Sequence, residues 1–360
     1  MRRLAFIIWT MGPGGAERVV SLLAAEFARR GDEVSLITVA SPDDDFFSVD
    51  PAVSRRSLDL GARPRGLQRV SMNLHRRKAL RDAVEAVRPQ VVVSFLEATN
   101  ILALVSSNAP VVVSVRTNPE VHPRRRLLRA LRRLLYARAA GVVLQTKPAA
   151  DWARRFLPPD RVFAIPNPVL PAAGPPSQRL PRIVAIGRMD QDKGFDLLLE
   201  AFARVANHSE WRLVIAGTGP DRDALEVQAR ALDIRDRVEF PGLVADTQTL
   251  LSQSSIFVLP SRTEGFPNVL LEAMAAGLPV VAADCRHGPR EVIRHAEDGL
   301  LVAPEDPETL AEAIRRLIED PSERERLGSA ATSVVERFGV ARIADRWEQV
   351  FEAVAGSSAD

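Results

Sequence analysis

Short runs of apolar residues alternate with helical patterns along almost the whole chain. In the first half they occupy residues 4–10, 33–39, 91–95, 111–115 and 141–145. In the second half the alternation restarts, with runs at residues 182–187, 212–217, 237–242, 255–261 and 279–284. Because each run is continuously apolar, it is typical of a parallel strand covered by helices on both faces. The pattern therefore predicts an α/β protein with two doubly wound domains.

A proline-rich segment separates the two series of predicted strands. The sequence "IPNPVLPAAGPPSQRLPR" has neither helical nor strand periodicity, and we interpret it as a linker. The predicted organisation is a first Rossmann-like domain over residues 1–167, a linker over 168–181, and a second such domain over 182–340. The amphipathic residues 341–360 predict a C-terminal helix. The sequence does not decide which domain this helix packs on, and crossing back to the first domain is one option.

Composition adds two constraints to this picture. Residues 1–170 contain 27 Lys and Arg against 15 Asp and Glu, whereas residues 171–360 contain 21 against 31. This asymmetry suggests that the first domain faces an anionic partner, although a solvated arginine-rich surface is an alternative. The single cysteine, Cys285, excludes internal disulfides and a cysteine-cluster metal site, and it favours the reducing cytoplasm. No apolar run of about 18 residues occurs, so we expect no membrane span.

Two glycine loops follow predicted strands and invite a dinucleotide interpretation. The G-x-G-x-x-G pattern fails in "GPGGAE" at Glu17 and in "GTGPDR" at Arg222, so a nicotinamide-dependent dehydrogenase is poorly supported. No G-x-x-x-x-G-K-[ST] motif exists, which excludes a P-loop nucleoside triphosphatase. Gly14 and Gly15 nevertheless permit close approach of a ligand to the backbone, with a tight strand-to-helix turn as the alternative.

The stretch "GRMDQDKGF" brings two cations to the end of a strand. Arg188 directly follows the strand, and Lys193 precedes Gly194, where the next helix starts. Two cations beside a helix N-terminus can clamp a diphosphate, because amides and side chains together supply positive potential. The alternative is a pair of surface cations beside Asp190 and Asp192.

The stretch "TEGFPNVLLEAMAAG" contains two carboxylates and a helix entrance. Pro267 suits the first helical turn, which leaves the amides of Gly265 and Phe266 open at the entrance. Glu272 is the only charge in an apolar helix, and we predict that it is buried and held by ligand hydroxyls or a basic group. Glu264 is predicted at the mouth of the same crevice.

This E-x7-E pair, with Arg188, Lys193 and the Gly14-Gly15 loop, resembles the family 4 retaining glycosyltransferases of the GT-B fold, and the similarity covers nearly the whole chain. The resemblance implies two Rossmann-like domains facing across a crevice, the first binding an acceptor and the second a nucleotide sugar. The stretches "SVRTNP" and "CRHGPREVI" are similar to the branch that transfers galactose or N-acetylgalactosamine-type sugars to lipid-linked bacterial glycans. That similarity favours a UDP-sugar donor.

The resemblance also implies a role for each motif residue. Glu272 is expected to hold the donor ribose, Glu264 to contact the donor sugar, and Arg188 and Lys193 to neutralise the leaving diphosphate. Further donor contacts are implied for Gly14, Gly15, Arg116, Asn118, Gly187, Gly217, Gly265, Phe266, Pro267 and Asn268. We expect neither a metal ion nor another cofactor, because the cations themselves stabilise the departing charge.

One position departs from the family pattern. Many relatives carry a histidine after the fifth strand, where this chain has Arg116. An arginine cannot act as a proton carrier, so the histidine's role is open, and His122 is an alternative candidate for it.

A basic helix is predicted over residues 124–138. Its leucines form one stripe at positions 127, 128, 131, 134 and 135, and seven arginines occupy most of the remaining positions. We predict that the stripe packs on the first domain while Arg125, Arg129 and Arg132 meet anionic lipid headgroups or the diphosphate of a polyprenyl-linked acceptor. The protein would then be peripheral at the cytoplasmic face of the inner membrane. A solvated helix is the alternative.

Two other function classes compete with sugar transfer. A sugar-nucleotide 2-epimerase of the same fold would need acidic and histidine groups that exchange a proton at carbon, whereas these loops offer cations and a glutamate pair. A nucleic-acid-binding protein fits the basic charge, but no aromatic residues interleave the arginines for base stacking. Nucleic acid is therefore not an expected partner.

Overall fold

The computed structural model of the chain describes residues 1–62, 65–116, 132–172, 174, 178–205, 210–286 and 288–356. The chain divides into two compact units, Met1–Pro168 together with Val340–Asp360, and Val169–Gly339. Each unit is built on one wholly parallel sheet. The predicted α/β class, with two doubly wound Rossmann-like domains, is confirmed.

The first unit contains a seven-stranded sheet in the order β3-β2-β1-β4-β5-β6-β7. Its strands are β1 (Arg3–Ile8), β2 (Glu33–Thr38), β3 (Ser54–Ser57), β4 (Val91–Phe95), β5 (Val111–Ser114), β6 (Gly141–Leu144) and β7 (Val162–Ala164). Its helices up to this point are α1 (Gly15–Arg29), α2 (Leu67–Val87), α3 (Glu97–Ser106) and α4 (Lys147–Arg154). Residues 132–136 are also helical.

The second unit contains a six-stranded sheet in the order β10-β9-β8-β11-β12-β13. Its strands are β8 (Arg182–Ile186), β9 (Arg212–Ala216), β10 (Val238–Gly242), β11 (Ile256–Leu259), β12 (Val280–Ala283) and β13 (Leu300–Val302). Its helices are α5 (Phe195–Arg204), α6 (Arg222–Ala231), α7 (Thr247–Ser252), α8 (Asn268–Ala275), α9 (Pro289–Val292), α10 (Pro307–Glu319), α11 (Pro321–Ala331) and α12 (Val334–Phe338).

Strand β8 shows why the runs are continuously apolar. Ile183 and Ala185 belong to one buried cluster, whereas Val184 belongs to a second cluster. Successive strand side chains point to opposite faces, so the sheet is buried on both sides.

The last helix, α13 (Val340–Gly356), belongs to the first unit although it follows the second in sequence. Trp347 and Phe351 on α13 are fully buried, and their rings lie 6.2 Å from Phe95 and 5.3 Å from Phe27, respectively. This aromatic contact fixes α13 in the core beside α1 and β4.

In each sheet the order of the strands reverses at one point. It lies between β1 and β4 in the first unit and between β8 and β11 in the second. Ligands of open α/β sheets bind beyond the carboxyl ends of the strands at such a point. The loop that carries Arg188 and Lys193 follows β8, and the loop that carries Glu264 follows β11, so the fold brings both motifs to this position.

Three strands escaped sequence analysis, and all three are edge strands. Strand β3 is polar and partly exposed, and β7 and β13 are each only three residues long. The segment interpreted as a linker also contacts the second unit, since Val169 N donates to Phe338 O at 2.9 Å and Arg179 Nη2 donates to Gly277 O at 2.8 Å.

Candidate active site

Backbone contact between two glycines shapes the strand ends of the second unit. Gly217 has φ +136°, and a Cβ there would lie 1.9 Å from Gly187 O. Its N–H donates to Gly242 O at 2.7 Å. A side chain at Gly217 would therefore push apart the loops after β8 and β9. The structure thus brings Gly187 and Gly217, two of the implied donor contacts, into backbone contact.

Arg188 lies on the surface at the end of β8. Its side chain is 72% exposed, and its Nε donates to Asp190 Oδ2 at 2.5 Å. The other carboxylate oxygen, Asp190 Oδ1, is buried and has no hydrogen-bond partner among the described residues. Arg188 is thus accessible, and in this state it is held by an acidic neighbour two residues away.

Lys193 and Glu264 form the central contact of the site. Lys193 Nζ donates to Glu264 Oε1 at 2.6 Å, and Ser261 Oγ donates to the same oxygen at 2.7 Å. The Glu264 side chain is 7% exposed and that of Lys193 is 26% exposed. Burial alone would lower the pKa of Lys193, but the adjacent Glu264 carboxylate outweighs it and the pKa is raised. Lys193 is therefore a fixed cation at neutral pH.

Arg262 ties the two loops of the site together. Its Nη1 and Nη2 donate to the two carboxylate oxygens of Asp196 at 2.7 Å each, and its backbone N–H donates to Asp192 O at 2.8 Å. The close approach also needs Gly194, where φ is +63° and a Cβ would lie 2.3 Å from Pro260 O. Sequence analysis missed Arg262, because nothing local distinguishes it from a surface arginine.

The entrance of α8 differs from its predicted form by one residue. The helix begins at Asn268, and Pro267 is its N-cap rather than its first residue. The side chain of Phe266 is buried, and its ring packs edge-on against Phe338 at 5.6 Å. Phe266 therefore contributes its ring to the core, and only its backbone is left for a donor contact. Gly265 lies against the loop after β12, since a Cβ on Gly288 would be 3.2 Å from Gly265 O.

The predicted burial of Glu272 is wrong. Glu272 is partly exposed, and Glu264 is the carboxylate that the protein encloses. The cause is the helical repeat of α8, in which Leu271 and Ala273 face the core while Asn268, Glu272 and Ala276 follow one partly exposed stripe. Asn268 and Glu272 consequently share one face.

In the first glycine loop, the Glu17 side chain packs against Gly14. Gly14 precedes α1 with extended backbone, and a Cβ there would lie 2.2 Å from Glu17 Oε2. Glu17 is buried, and burial raises the pKa of its carboxyl. A carboxylate thus already lies beside the N-terminus of α1, where the helix dipole favours negative charge. This agrees with the failure of the dinucleotide pattern at Glu17. Gly15 is the first residue of α1.

The basic helix is described only from residue 132 onwards, and it contradicts the predicted orientation there. Arg132 is 8% exposed and lies 3.9 Å from a Glu97 carboxylate oxygen, whereas Leu134 is 67% exposed. Arg132, Tyr136 and Ala139 form the inward face, so Arg132 is not a surface contact. Asn118, Arg125 and Arg129, like His122, lie outside the described residues.

The described residues offer neither a metal-binding cluster nor a membrane span. No three His, Cys, Asp or Glu side chains in the described ranges are placed to hold a metal ion. Within the same ranges, no helix has the length and apolar character needed to cross a membrane.

Comparison with known proteins gives two matching family models. Residues 171–334 match the model "Glycosyl transferases group 1", and residues 14–168 match the model "Glycosyl transferase 4-like domain". The two matched ranges fall within the second and the first unit, respectively.

Full-length relatives and solved structures also match. An uncharacterized glycosyltransferase of Haemophilus influenzae is 29% identical, over 97% of this chain and 100% of its own. A Campylobacter jejuni α-1,4-N-acetyl-D-galactosaminyltransferase, named for an undecaprenol-diphosphate-linked acceptor, is 26% identical over 96% of this chain and 97% of its own. HepE of Anabaena, solved with UDP and glucose, is 19% identical with a TM-score of 0.80, over 98% of this chain and 100% of its own.

Proposed function

The chain belongs to the family 4 glycosyltransferases of the GT-B fold, and on that premise we propose that it transfers a sugar from a UDP-sugar to a lipid-linked or glycan acceptor in bacterial glycan synthesis, with retention of anomeric configuration. The observation that carries the proposal is the pair Lys193–Glu264, 2.6 Å apart at the strand-order reversal of the second sheet. A diphosphate that leaves from a nucleotide sugar needs fixed positive charge, and this position supplies it.

Arg188 and Lys193 are the proposed diphosphate ligands. Each is paired with a carboxylate in the structure, Arg188 with Asp190 and Lys193 with Glu264. Arg188 is free to turn towards a phosphate because it is exposed, whereas Lys193 is fixed by its partner. We infer that Lys193 stabilises charge that develops on the leaving oxygen, and that Arg188 adds affinity for the bound nucleotide.

The two glutamates receive different roles. Glu272 and Asn268 share the partly exposed face of α8, which suits hydrogen bonds to ribose hydroxyls. Glu264 is proposed to contact the donor sugar and also to position Lys193, because its carboxylate joins Lys193 and Ser261. The glycines at 187, 217 and 265 are proposed to leave room for the donor beside the backbone.

The roles of residues in the first unit remain proposals. Gly14, Gly15, Arg116 and Asn118 are proposed donor contacts, on the strength of the family resemblance. A UDP donor is supported by HepE, which was solved with UDP, and a lipid-linked acceptor is supported by the acceptor for which the Campylobacter relative is named. Attachment to an anionic membrane is proposed for Arg125 and Arg129.

Isothermal titration of UDP tests the donor site. Lys193→Met and Glu272→Ala should each weaken UDP binding by about 10-fold or more, since a hydrogen bond to a charged group contributes about 1.5–3 kcal/mol. Glu264→Gln should lower turnover more than UDP affinity. Lys147→Met, which removes a lysine of the first unit outside the proposed site, is the control. Equal UDP affinities in wild type, Lys193→Met and Glu272→Ala would contradict the assignment.

A further inference from the structure

Arg116 is a partly buried cation without a carboxylate partner among the described residues. It follows β5, and its guanidinium carbon lies 5.1 Å from the centre of the Phe95 ring and 5.9 Å from that of Trp347. Its Nη1 donates to Asn167 Oδ1. Its Nε and Nη2 are buried and make no hydrogen bond to any described residue. The guanidinium thus lies beside two aromatic rings, and two of its three nitrogens are buried and make no hydrogen bond to a described residue.

The unpaired nitrogens form one edge of the guanidinium. Nε–H and one Nη2–H are parallel donors that match the two oxygens of a carboxylate or phosphate. Elsewhere in this protein the same edge holds a carboxylate: Arg29 donates to Glu26 through Nε and Nη2 at 2.8 Å each. The same geometry recurs in the pairs Arg290–Asp284 and Arg316–Glu323. In these three pairs, the Nε–Nη2 edge of an arginine binds a carboxylate.

The surroundings of Arg116 contain a surplus of donors. Asn167 Oδ1 accepts from Arg116 and also from Gln145 Nε2 at 3.0 Å, so one oxygen serves two donors. Two further atoms are buried without a hydrogen-bond partner in the described part of the chain: Trp347 Nε1, on a ring that contacts the guanidinium, and Ser114 Oγ, two residues before Arg116 at the end of β5. A cluster of donors around a cation favours a negatively charged group.

The topology places this cluster where ligands bind. Arg116, Gln145 and Asn167 follow β5, β6 and β7, which are adjacent in the sheet. The carboxyl ends of parallel strands meet at one edge of the sheet, and this edge is where α/β proteins bind ligands. The cluster therefore lies on the same edge of the sheet as the strand-order reversal between β1 and β4, and it begins one strand beyond that reversal, at β5.

Stability alone does not explain Arg116. Burial lowers the pKa of Arg116 to about 9, so the guanidinium is still protonated at neutral pH, in surroundings that disfavour its charge. Buried unpaired donors and charges destabilise the folded state. Contact with the Phe95 and Trp347 rings offsets only part of this cost. An anionic ligand would satisfy both nitrogens at once.

We propose that Arg116 binds a substrate oxyanion, phosphoryl or carboxylate, side-on through Nε and Nη2, in a subsite of the first unit that Asn167 and Gln145 orient. The identity of the substrate rests on the proposed function, whereas the oxyanion chemistry rests on the side chains alone. Three sources share that chemistry: the diphosphate of the nucleotide donor, the diphosphate of a lipid-linked acceptor, and the carboxylate of an acidic sugar.

The test uses the full chain, two variants and one control. Arg116→Met removes the Nε and Nη2 donors but keeps an apolar side chain against the Phe95 and Trp347 rings. Asn167→Asp keeps the acceptor for Gln145 and gives the guanidinium an internal carboxylate. Arg155→Met removes an exposed cation from the same unit and controls for net charge. UDP, farnesyl diphosphate and glucuronate are titrated separately by calorimetry, and melting temperatures are recorded with and without each probe.

The proposal predicts that at least one probe binds the wild type and binds both site variants about 10- to 100-fold more weakly, while Arg155→Met is unchanged. The probe that responds identifies the source of the oxyanion. Without any probe, Arg116→Met should melt no lower than wild type, and Asn167→Asp should melt higher. A purely structural arginine would instead give an Arg116→Met protein that melts lower and keeps its affinities.

The proposal is wrong if no probe binds the wild type, or if every affinity survives both substitutions. Hydrolysis of UDP-sugars is measured on the same samples. Wild-type protein that binds a probe through Arg116 but hydrolyses no nucleotide sugar would contradict the proposed function and leave the oxyanion site intact. Wild-type protein that hydrolyses a nucleotide sugar, together with an Arg116→Met variant whose affinities are unchanged, would contradict the oxyanion site and leave the proposed function intact.

Discussion

Replacement of Lys193 by methionine should destabilise the second unit selectively. The ammonium is the only charged partner of the Glu264 carboxylate among the described residues, and Ser261 supplies one neutral hydrogen bond. Removing one partner of a buried ion pair costs about 3–5 kcal/mol. Because Lys193 is about one quarter exposed and partly solvated, we expect about 2 kcal/mol for Lys193→Met.

Hydrogen–deuterium exchange is the suitable assay, because it resolves the loops after β8 and β11 from the rest of the chain. Amides there whose exchange requires the Lys193–Glu264 contact to open should exchange about 30-fold faster in Lys193→Met at neutral pH. The exposed pair Arg188–Asp190 provides the matched control, and Arg188→Met should change exchange less than about 3-fold.

The double variant Lys193→Met/Glu264→Gln measures the interaction energy between Lys193 and Glu264. It should be more stable than Lys193→Met, because the uncompensated carboxylate is removed together with its partner. The reasoning is refuted if Lys193→Met exchanges no faster than Arg188→Met, or if the costs of the two single substitutions simply add.

Three further predictions follow from local contacts. Gly217→Ala should destabilise the protein by more than about 2 kcal/mol, because a Cβ at this positive-φ position would lie 1.9 Å from Gly187 O. Gly187→Ala is the control, since a Cβ there would meet only side chains, at 3.4 Å or more. Equal melting temperatures of the two variants would argue against this packing. Burial raises the pKa of Glu17 above its unfolded value, so ionisation of this carboxyl destabilises the native state. The free energy of unfolding of Glu17→Gln should therefore rise relative to that of the wild type as the pH increases from 4 to 7. A difference that does not change with pH in urea denaturation would contradict this. Hydrogen bonds from Arg262 lower the pKa of Asp196. Arg262→Met should therefore lose about 1 kcal/mol of stability at pH 7, and this loss should shrink as the pH falls below about 4 and Asp196 becomes protonated. An undiminished loss at pH 3 would show that the Arg262–Asp196 pair does not cause it.

The periodicity of the chain was sufficient to predict the fold. Buried strands such as β4, "VVVSF", are apolar throughout because helices cover both faces of the sheet, and this pattern is readable without a structure. The edge strands β3, β7 and β13 were missed because an edge strand is short or half-exposed and needs no such run. The assignment of α13 to the first unit depends on ring contacts between residues far apart in sequence, such as Phe27 and Phe351, which no local pattern records.

The sequence placed Arg188, Lys193 and Glu264 on strand-end loops, where the structure has them, but it did not show their pairings. Because such loops converge at the strand-order reversal, the motif spacing made Arg188, Lys193, Glu264 and Glu272 candidates for one site. The partial exposure of Glu272 was not predicted, because it depends on which face of α8 the core covers, and the apolar residues around Glu272 do not show this. The link through Arg262 and the packing of Arg116 on aromatic rings depend on tertiary contacts alone.

Hydrolysis of nucleotide sugars tests the central claim most directly. Purified wild type and Lys193→Met are incubated with a panel of UDP-, GDP- and ADP-sugars, and the released nucleotide and the anomer of the released sugar are recorded by NMR. The account predicts that the wild type hydrolyses at least one UDP-sugar with retained configuration, and that Lys193→Met is at least about 100-fold slower. Absence of hydrolysis and of binding across the panel, or equal rates in the two proteins, would contradict it.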